Sequence, residues 1–340
     1  MTMNDTSLKL PAIPRLKAPE GEPVPNWDPE RMVRRGCLVC GGEEHRPLCY
    51  RPDGLLVASC AACGCTYLPL VPDAGELQRY YDRYSDTKLY IQHKVQQAPP
   101  SLASRLRACA ARTVKTVLGP SLTNGIKRRG EPISDSCEIL IRTGGLEGKR
   151  ILELGPGRFG GILPEATRWG AKGVAVEVDA AAVGSMREMG IEVFDSLAKA
   201  PSGLDIIYAG MVLEHVSDPA ALLKEAAALA APGGRFLIRV PNGGQAKSVG
   251  YSWIGFRVDL EHLNYFDAAS LSTLLAQAGF QTECVWQSAQ PVLPQYLAMA
   301  DRNSFLRYAR ERFNRTISLQ PDTIFQQGEF MLTVLARREE

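Results

Sequence analysis

From Lys149 onward the sequence alternates between short apolar runs and amphipathic stretches, and this alternation restricts the fold more than any other feature. Strand candidates lie at 150–155, 173–178, 191–195, 204–209 and 235–240. Helix candidates lie at 160–169, 180–189, 218–230 and 268–278. Such alternation is typical of a parallel sheet that carries helices on both faces. We therefore predict an α/β fold for residues 149–340.

Two more strand candidates complete this region. The segment "FQTECVWQ" at 280–287 is followed, after an insertion at 291–321, by "EFMLTVLARR" at 329–338. We expect the last strand to pair antiparallel with the one before it.

The length of 340 residues exceeds that of one ordinary domain, so we expect more than one structural unit. A proline-rich leader at 1–35 is predicted to be flexible, because proline removes backbone donors and favours extended conformations. A cysteine-rich module at 36–72 and a helical connector at 73–148 then precede the α/β region at 149–340.

Composition bears on where such a chain resides. Apolar residues make up 45% and charged residues 22%, and no apolar run approaches the roughly 18 residues of a membrane span. The leader lacks the apolar stretch of a secretory signal. We therefore expect a cytoplasmic protein whose nine cysteines are metal ligands and buried thiols and not disulfides.

The segment "ELGPGRFGG" follows the first strand candidate and opens the first helix candidate. Glycine at positions 155 and 157 lets a ligand approach the backbone at the carboxyl edge of the sheet, where open α/β sheets bind ligands. Gly155, Gly157 and Gly160 also satisfy the dinucleotide-binding fingerprint. The loop alone therefore leaves two ligand classes open.

Acidic residues around the loop bear on that choice. Glu153 would repel a pyrophosphate but favours a cation, such as the sulfonium and ammonium groups of S-adenosylmethionine. Pro156 removes one N–H donor that a pyrophosphate would use. Glu177, at the end of the second strand candidate, can accept hydrogen bonds from a ribose in either case. The local charge thus favours the methyl donor.

Five segments, in this order and spacing, resemble the class I, or Rossmann-like, S-adenosylmethionine-dependent methyltransferases: "ILELGPG", "VAVEVD", "LDIIYAGMVLEHVSDP", "APGGRFLIRVPN" and "EHLNYFDAASLSTLLAQAGF". The resemblance covers residues 149–285 and implies a seven-stranded sheet whose last strand is antiparallel. It also implies a donor bound along Gly155 and Gly157, with its ribose on Glu177 and its adenine near Asp195.

Two of the expected donor contacts lie at strand ends. We expect Ala209, at the end of the fourth strand candidate, to contact the donor as well. Asp195 has a second interpretation, as a cap of the turn that follows it.

Six of the nine cysteines lie between Cys37 and Cys65. Cys37 and Cys40 are two residues apart, as are Cys60 and Cys63, and the nineteen residues between the pairs permit a β-hairpin that brings them together. Four thiolates then form a closed tetrahedral site, the arrangement of structural zinc. We interpret the other candidate ligands as core or surface residues: His45, Cys49 and Cys65.

A zinc module joined to this kind of methyltransferase resembles bacterial enzymes of sugar and natural-product tailoring, including the deoxysugar C-methyltransferases with their "YYDRY"-like helix. Those C-methyltransferases continue into a third domain, whereas this chain ends soon after its seventh strand candidate. The resemblance implies a small-molecule acceptor, namely a sugar, a nucleotide-sugar or a secondary metabolite, methylated at carbon or oxygen.

Two histidines follow the fourth and fifth strand candidates and so belong to the carboxyl edge of the sheet: His215 in "LEHV" and His262 in "DLEHLNYF". Glu261 and His262 resemble the position of the base proposed in the sugar C-methyltransferases. His262 is therefore our first candidate base, Glu261 its partner and His215 a second candidate. Structural roles stay open for both histidines. A divalent-cation site formed with Glu214, as in ubiquinone-type O-methyltransferases, is a third possibility.

Two other functions remain as alternatives. An RNA methyltransferase would use the zinc module and a predicted basic helix with Arg105, Arg107, Arg112 and Lys115, although a net charge of +2 gives no global argument for nucleic acid. A scaffold that binds the donor without turnover is the other alternative.

Overall fold

This computed structural model describes residues 12–81, 134–288 and 331–339. The described strands are, in chain order, β1 (Met32–Arg34), β2 (His45–Tyr50), β3 (Leu56–Cys60), β4 (Thr66–Tyr67), β5 (Leu70–Pro72), β6 (Arg150–Leu154), β7 (Lys172–Val176), β8 (Glu192–Phe194), β9 (Leu204–Gly210), β10 (Ala230–Pro241), β11 (Asn264–Tyr265), β12 (Phe280–Ser288) and β13 (Met331–Arg338). The described α-helices are α1 (Ala74–Tyr81), α2 (Asp135–Gly144), α3 (Leu163–Arg168), α4 (Ala180–Glu188), α5 (Pro219–Leu229), α6 (Gln245–Val249) and α7 (Ala268–Gln277).

Seven strands form one sheet in the order β12-β13-β10-β9-β6-β7-β8. The neighbouring pairs from β10 to β8 are parallel, whereas β13 runs antiparallel to both β10 and β12. This confirms the predicted α/β fold, including the reversed last strand. The segment between β8 and β9 is too short for a full crossover helix, and it forms a single 3-10 turn at Leu197–Lys199.

The strands of this sheet are apolar on both sides because helices cover both faces. Ile151 and Leu152 are adjacent on β6 and both fully buried, yet they belong to different core clusters. Leu152 packs in the cluster that includes Leu223 of α5 and Leu274 of α7. Ile151 packs with the cluster of Met186 on α4. Successive residues of a strand point to opposite faces, so a near-continuous apolar run is what such a sheet requires.

Acidic caps begin three of the described helices, α4, α5 and α7. Asp179 accepts hydrogen bonds from the backbone of Ala181 and Ala182 at the start of α4, and Asp218 accepts one from Ala221 at the start of α5. Asp267 and Ser270 form a reciprocal capping box at the start of α7. Each cap satisfies N–H groups that have no partner inside the helix.

A second, smaller sheet has the order β11-β4-β3-β2. Strands β2 and β3 form the predicted hairpin between the cysteine pairs, with His45 opposite Cys60. The edge strand β11 comes from the α/β region, about 200 residues after β4 in the sequence. It pairs Asn264 with Tyr67 and Tyr265 with Thr66. The cysteine-rich module and the α/β domain therefore share a sheet.

The described part of the predicted leader differs from the sequence-based expectation. Leu16 and Trp27 are buried in the core cluster of the cysteine-rich module. Leu16 donates its N–H to Tyr50 O at 2.8 Å, and Tyr50 N–H bonds Pro14 O at 2.7 Å. Residues 12–35 thus pack against the module instead of being flexible, because two large apolar side chains gain buried area there.

Three predictions concern segments outside the described residues. They are residues 1–11 of the leader, the basic helix in the middle of the connector, and the insertion at 291–321. Within the described part of the chain, no helix is long and apolar enough to cross a membrane.

Candidate functional site

The candidate site lies where strand order changes direction along the chain. Strands β6 and β9 are neighbours, whereas β7 and β8 extend the sheet on the other side of β6. Connections therefore leave the carboxyl ends of β6 and β9 in opposite directions and open a crevice between them. Open α/β sheets bind their ligands in such a crevice.

The glycine loop, residues 155–161, begins at the end of β6. Gly155 and Gly157 have φ values of 59° and 68°, which an L-residue with a side chain rarely adopts. A Cβ atom on Gly155 would also lie 2.9 Å from Val212 Cγ2. The loop thus requires glycine both for its backbone path and for its close approach to the end of β9.

Glu153 is buried under the glycine loop. Its Oε2 accepts the N–H of Ile162 at 2.9 Å, and a Cβ on Gly161 would collide with the carboxylate at 1.8 Å. The pKa of Glu153 is raised to about 8, mainly by burial and in a smaller part by the charge of Glu177, while the backbone N–H groups of Ile162 and Leu163 oppose the rise. This electrostatic setting favours a cation and disfavours a second anion.

Glu177 lies directly after β7 on the other side of the glycine loop. It is buried, and its carboxylate accepts N–H groups from Gly157 at 2.9 Å, Val178 at 2.8 Å and Asp179 at 2.9 Å. One acidic side chain therefore connects the end of β7 to the glycine loop, where a ribose would meet both.

The remaining two predicted donor residues differ in exposure. Ala209 is fully buried near the carboxyl end of β9. The side chain of Asp195 is 65% exposed and pairs with Lys199 at 2.7 Å. The hydrogen bond from Lys199 lowers the pKa of Asp195, and Ser196 lowers it as well, whereas burial opposes them. Asp195 is not the N-cap of the next turn, since that position belongs to Ser196.

The two predicted histidines come together. His215 lies in the first histidine loop, residues 211–217, and His262 lies in the second histidine loop, residues 257–263. Their ring centroids are 4.6 Å apart in an edge-to-face arrangement. Ligand atoms of His215, His262 and Glu214 all lie within 4.8 Å of one another. Glu261 is buried in the same second histidine loop.

Glu214 is the most deeply buried acid of this group. Its side chain is 1% exposed, and within the described ranges neither carboxylate oxygen has a hydrogen-bond partner. Burial raises its pKa well above the ordinary value, and the charges of Asp259 and Glu261 add to the rise, whereas the nearby backbone N–H of Glu214 itself opposes it. An orphaned buried carboxylate is costly, so its presence indicates a role in binding or chemistry.

Tyr81, the last residue of α1, contacts the same group. Its hydroxyl lies 2.9 Å from His215 Nδ1, whereas His215 Nε2 lies 4.0 Å from Glu214 Oε1. The two nitrogens of this ring therefore face different partners, which orients the imidazole. The sequence offered "YYDRY" as a helical segment but gave no sign that its second tyrosine reaches His215.

The four predicted metal-binding cysteines converge at the base of the hairpin. Their Sγ atoms lie within 4.8 Å of one another, with Cys37 to Cys63 and Cys40 to Cys60 each at 3.5 Å. A Zn–S bond of about 2.3 Å places tetrahedral sulfur ligands about 3.8 Å apart, so the donor set and its spacing fit a zinc ion.

Residues 128–285 match a family model described as "Methyltransferase domain". The chain carries a methyltransferase domain. The sheet order given above is that of the class I, or Rossmann-like, methyltransferases.

Two curated proteins from bacteria are similar to part of this chain. It is 36% identical over 116 residues to the ubiquinone biosynthesis O-methyltransferase of Aeromonas salmonicida, covering 31% of this chain and 48% of that protein. It is 31% identical over 159 residues to the enzyme of the same name from Xanthomonas euvesicatoria, covering 41% and 66%. The chain spans about half the length of the first of these relatives.

Among solved structures, the chain is similar to the magnesium protoporphyrin IX methyltransferase of Synechocystis PCC 6803. The sequences are 14% identical, the TM-score is 0.44, and the match covers 76% of this chain and 97% of the other.

Three polar side chains hold the histidine loops of the methyltransferase, and sequence reasoning missed them all. Arg35 and Arg51 come from the N-terminal part of the chain and donate to carbonyl oxygens of these loops. Asn264, the first residue of β11, donates to Leu213 O at 2.8 Å and Val216 O at 2.7 Å. An arginine beside a cysteine pair carries no sequence signal of such distant contacts.

Replacing Glu153 by Gln tests the electrostatics beneath the glycine loop. The pKa of about 8 in the folded chain exceeds the ordinary 4.5, so between these values the unfolded chain has lost a proton that the folded chain keeps. The free energy of unfolding should therefore fall as the pH rises through this window. Glu153→Gln removes that loss. Between the lower and the upper end of this pH window, the free energy of unfolding of Glu153→Gln should therefore rise relative to that of the wild type by more than about 1.4 kcal/mol, the equivalent of one pKa unit.

Urea unfolding across that pH window measures the difference. Glu192→Gln, at an exposed position on β8, is the matched control and should follow the wild type. A constant difference between Glu153→Gln and the wild type at every pH would contradict the prediction.

Proposed function

We propose that the protein transfers a methyl group from S-adenosylmethionine to an oxygen or carbon nucleophile of a small molecule, such as a sugar, a nucleotide-sugar or a secondary metabolite. The observation that carries this proposal is the burial of the histidine group: His262 is 5% exposed and Glu214 1% exposed. Buried reactive groups require an acceptor that can enter an enclosed site. The relatives are named as O-methyltransferases of ubiquinone biosynthesis, which is consistent with a small acceptor.

The donor would lie along the glycine loop. In this proposal Gly155 and Gly157 permit close approach of the methionine part, and Glu177 accepts the ribose hydroxyls after giving up bonds to the loop backbone. A bound sulfonium or ammonium group would lower the pKa of Glu153 and would be stabilised by the charged carboxylate that then forms. Ala209 and Asp195 would contact the donor at the ends of β9 and β8.

Methyl transfer needs alignment more than acid-base chemistry. The acceptor nucleophile forms a bond to the methyl carbon while the carbon–sulfur bond breaks, and the sulfur leaves as a neutral thioether. Holding the two reactants in line supplies much of the acceleration. When the acceptor carries a proton on its nucleophile, His262 would accept it, and Glu261, buried beside it, would orient the ring.

A divalent cation offers a second role for the same residues. Glu214, His215 and His262 form a carboxylate and imidazole donor set that suits such an ion, and the partnerless carboxylate of Glu214 fits a ligand role. A bound cation would hold an acceptor oxygen and favour its ionised form. His262 then contributes a lone pair to the ion, and Tyr81 orients His215 through Nδ1.

The cysteine-rich module, residues 36–72, would hold a structural zinc ion through Cys37, Cys40, Cys60 and Cys63. Four thiolates leave no open coordination position, so the ion would stabilise the fold and take no part in methyl transfer. In this proposal residues 73–148 connect the module to the methyltransferase domain.

Donor binding is tested by calorimetry with S-adenosylmethionine, S-adenosylhomocysteine and NAD. The first two should bind and NAD should not. Glu177→Ala should weaken donor binding about 10- to 100-fold, because a hydrogen bond to a charged group contributes about 1.5–3 kcal/mol. Glu192→Ala on the neighbouring strand is the control. Tight binding of NAD with no affinity for either nucleoside would refute the proposal.

The two roles of the histidine group are distinguished by metal dependence. Turnover is measured by mass spectrometry with candidate acceptors and labelled donor, before and after treatment with a chelator. A base role predicts that His262→Ala lowers kcat about 10²- to 10⁴-fold and that chelation has no effect. A ligand role predicts that chelation, Glu214→Ala and His262→Ala abolish the same activity. The control is His45→Ala, and full turnover by His262→Ala would exclude both roles.

The zinc content of the purified protein tests the cysteine site. We expect one zinc ion per chain, released by Cys63→Ala together with a lower free energy of unfolding, because metal binding and folding of such modules are coupled. Cys284→Ala, in β12, should retain the zinc. If the purified wild type contained no zinc, and if its free energy of unfolding equalled that of Cys63→Ala, the thiols would not be zinc ligands.

A further inference from the structure

The positions of the two histidine loops are set from outside the methyltransferase domain. Arg35 lies in the N-terminal part of the chain, between β1 and Cys37. Its guanidinium donates through Nη1 to Ser217 O at 3.0 Å and through Nη2 to Leu263 O at 2.6 Å. Ser217 ends the first histidine loop and Leu263 ends the second, so one side chain bridges both.

A guanidinium is suited to fix a distance between two loops. Its N–H groups lie in one rigid plane and point in set directions, whereas a lysine ammonium is a single flexible point of donation. The remaining guanidinium nitrogen of Arg35 is also bonded, because Nε donates to Leu68 O at 2.9 Å. The backbone N–H of Arg35 donates to Pro69 O at 3.0 Å. The fork is therefore anchored to the cysteine-rich module while it contacts both loops.

Other side chains from residues 12–72 hold the second histidine loop. Arg51 is fully buried and donates to His262 O at 2.6 Å, to Tyr265 Oη at 2.7 Å and to Leu260 O. Asp53 pairs with Arg51 and balances its charge. Glu22 accepts the N–H of Asp259 at 2.8 Å, at a residue whose φ is 48°. Such a backbone conformation persists only when its surroundings fix it.

These contacts act on the backbone that carries the reactive side chains. The two carbonyls held by Arg51 belong to Leu260 and His262, the residues on either side of Glu261. Within the methyltransferase domain, Asn264 ties the start of β11 to the first histidine loop. The 4.6 Å separation of the two rings thus depends on contacts from both parts of the chain.

We propose that Arg35 is a positioning residue that sets the separation of His215 and His262, and that Arg51 fixes the second histidine loop against it. The N-terminal part of the chain then completes the acceptor side of the site, while the donor side is formed within the methyltransferase domain. The effect on turnover rests on the proposed function; the effect on the histidines does not.

Arg35→Lys keeps the charge and removes the fork. The control is Arg34→Lys, the same change at the adjacent exposed residue of β1. The first measurement is the nuclear magnetic resonance signals of the imidazoles, of which the chain has four, followed as a function of pH. In Arg35→Lys the chemical shifts and titration midpoints of His215 and His262 should change, while those of His45 stay as in the wild type. Arg51→Lys should affect His262 more than His215.

The second measurement separates positioning from folding. Arg35→Lys should bind S-adenosylmethionine with wild-type affinity and unfold cooperatively, and its kcat should fall about 10- to 100-fold with an unchanged KM for the donor. Arg34→Lys should retain kcat.

Unchanged histidine signals in Arg35→Lys would overturn the proposal, whatever the enzyme's activity. The proposal would also be overturned if Arg35→Lys lost both its donor binding and its cooperative unfolding. Arg35 would then stabilise the whole fold and not the histidine loops in particular. If the wild type transfers no methyl group to any acceptor, the proposed function fails, and the histidine signals still decide the role of Arg35.

Discussion

The arrangement of the site depends on the pairing of β4 with the two-residue strand β11. So short a pairing contributes little by itself, since each hydrogen bond adds only about 0.5–1.5 kcal/mol. The joint is stabilised by what surrounds it: Tyr67 and Tyr265 are buried on the paired strands, and the buried Arg51 bonds the Tyr265 hydroxyl. The cysteine-rich module is thereby joined to the segment that follows the second histidine loop and is not a separate attachment.

The charges are divided between two regions. Carboxyl groups are buried around the crevice, at Glu153, Glu177 and Glu214, and the pKa values of Glu153 and Glu214 are raised mainly by burial. Guanidinium groups are nearby, yet Arg35 and Arg51 donate to backbone carbonyls, and Arg51 also pairs with Asp53. A cation bound beside Glu153 or Glu214 would lower the pKa of that carboxyl group and would be stabilised by its charged form.

The sequence predicted what is local or periodic. The strands and helices of the methyltransferase domain follow from the alternation of short apolar runs with amphipathic stretches. The meeting of His215 and His262 followed from their positions after two strands of one sheet. What could not be predicted is contact between segments far apart in sequence, such as Arg35 with Leu263, because neither residue type nor spacing encodes it. The packing of Leu16 and Trp27 was hidden for a different reason, since proline content outweighed two isolated apolar residues.

The distance along the chain between β4 and its partner strand affects how the protein is made. Arg51 and His262 are 211 residues apart, and a chain emerging from the ribosome releases its N-terminal segments first. The cysteine hairpin therefore leaves the ribosome long before Asn264 and Tyr265, and until they arrive β4 presents an open sheet edge. Open edges pair with strands of other molecules. During the interval between the two events, the edge of β4 therefore lacks the partner strand that covers it in the folded protein.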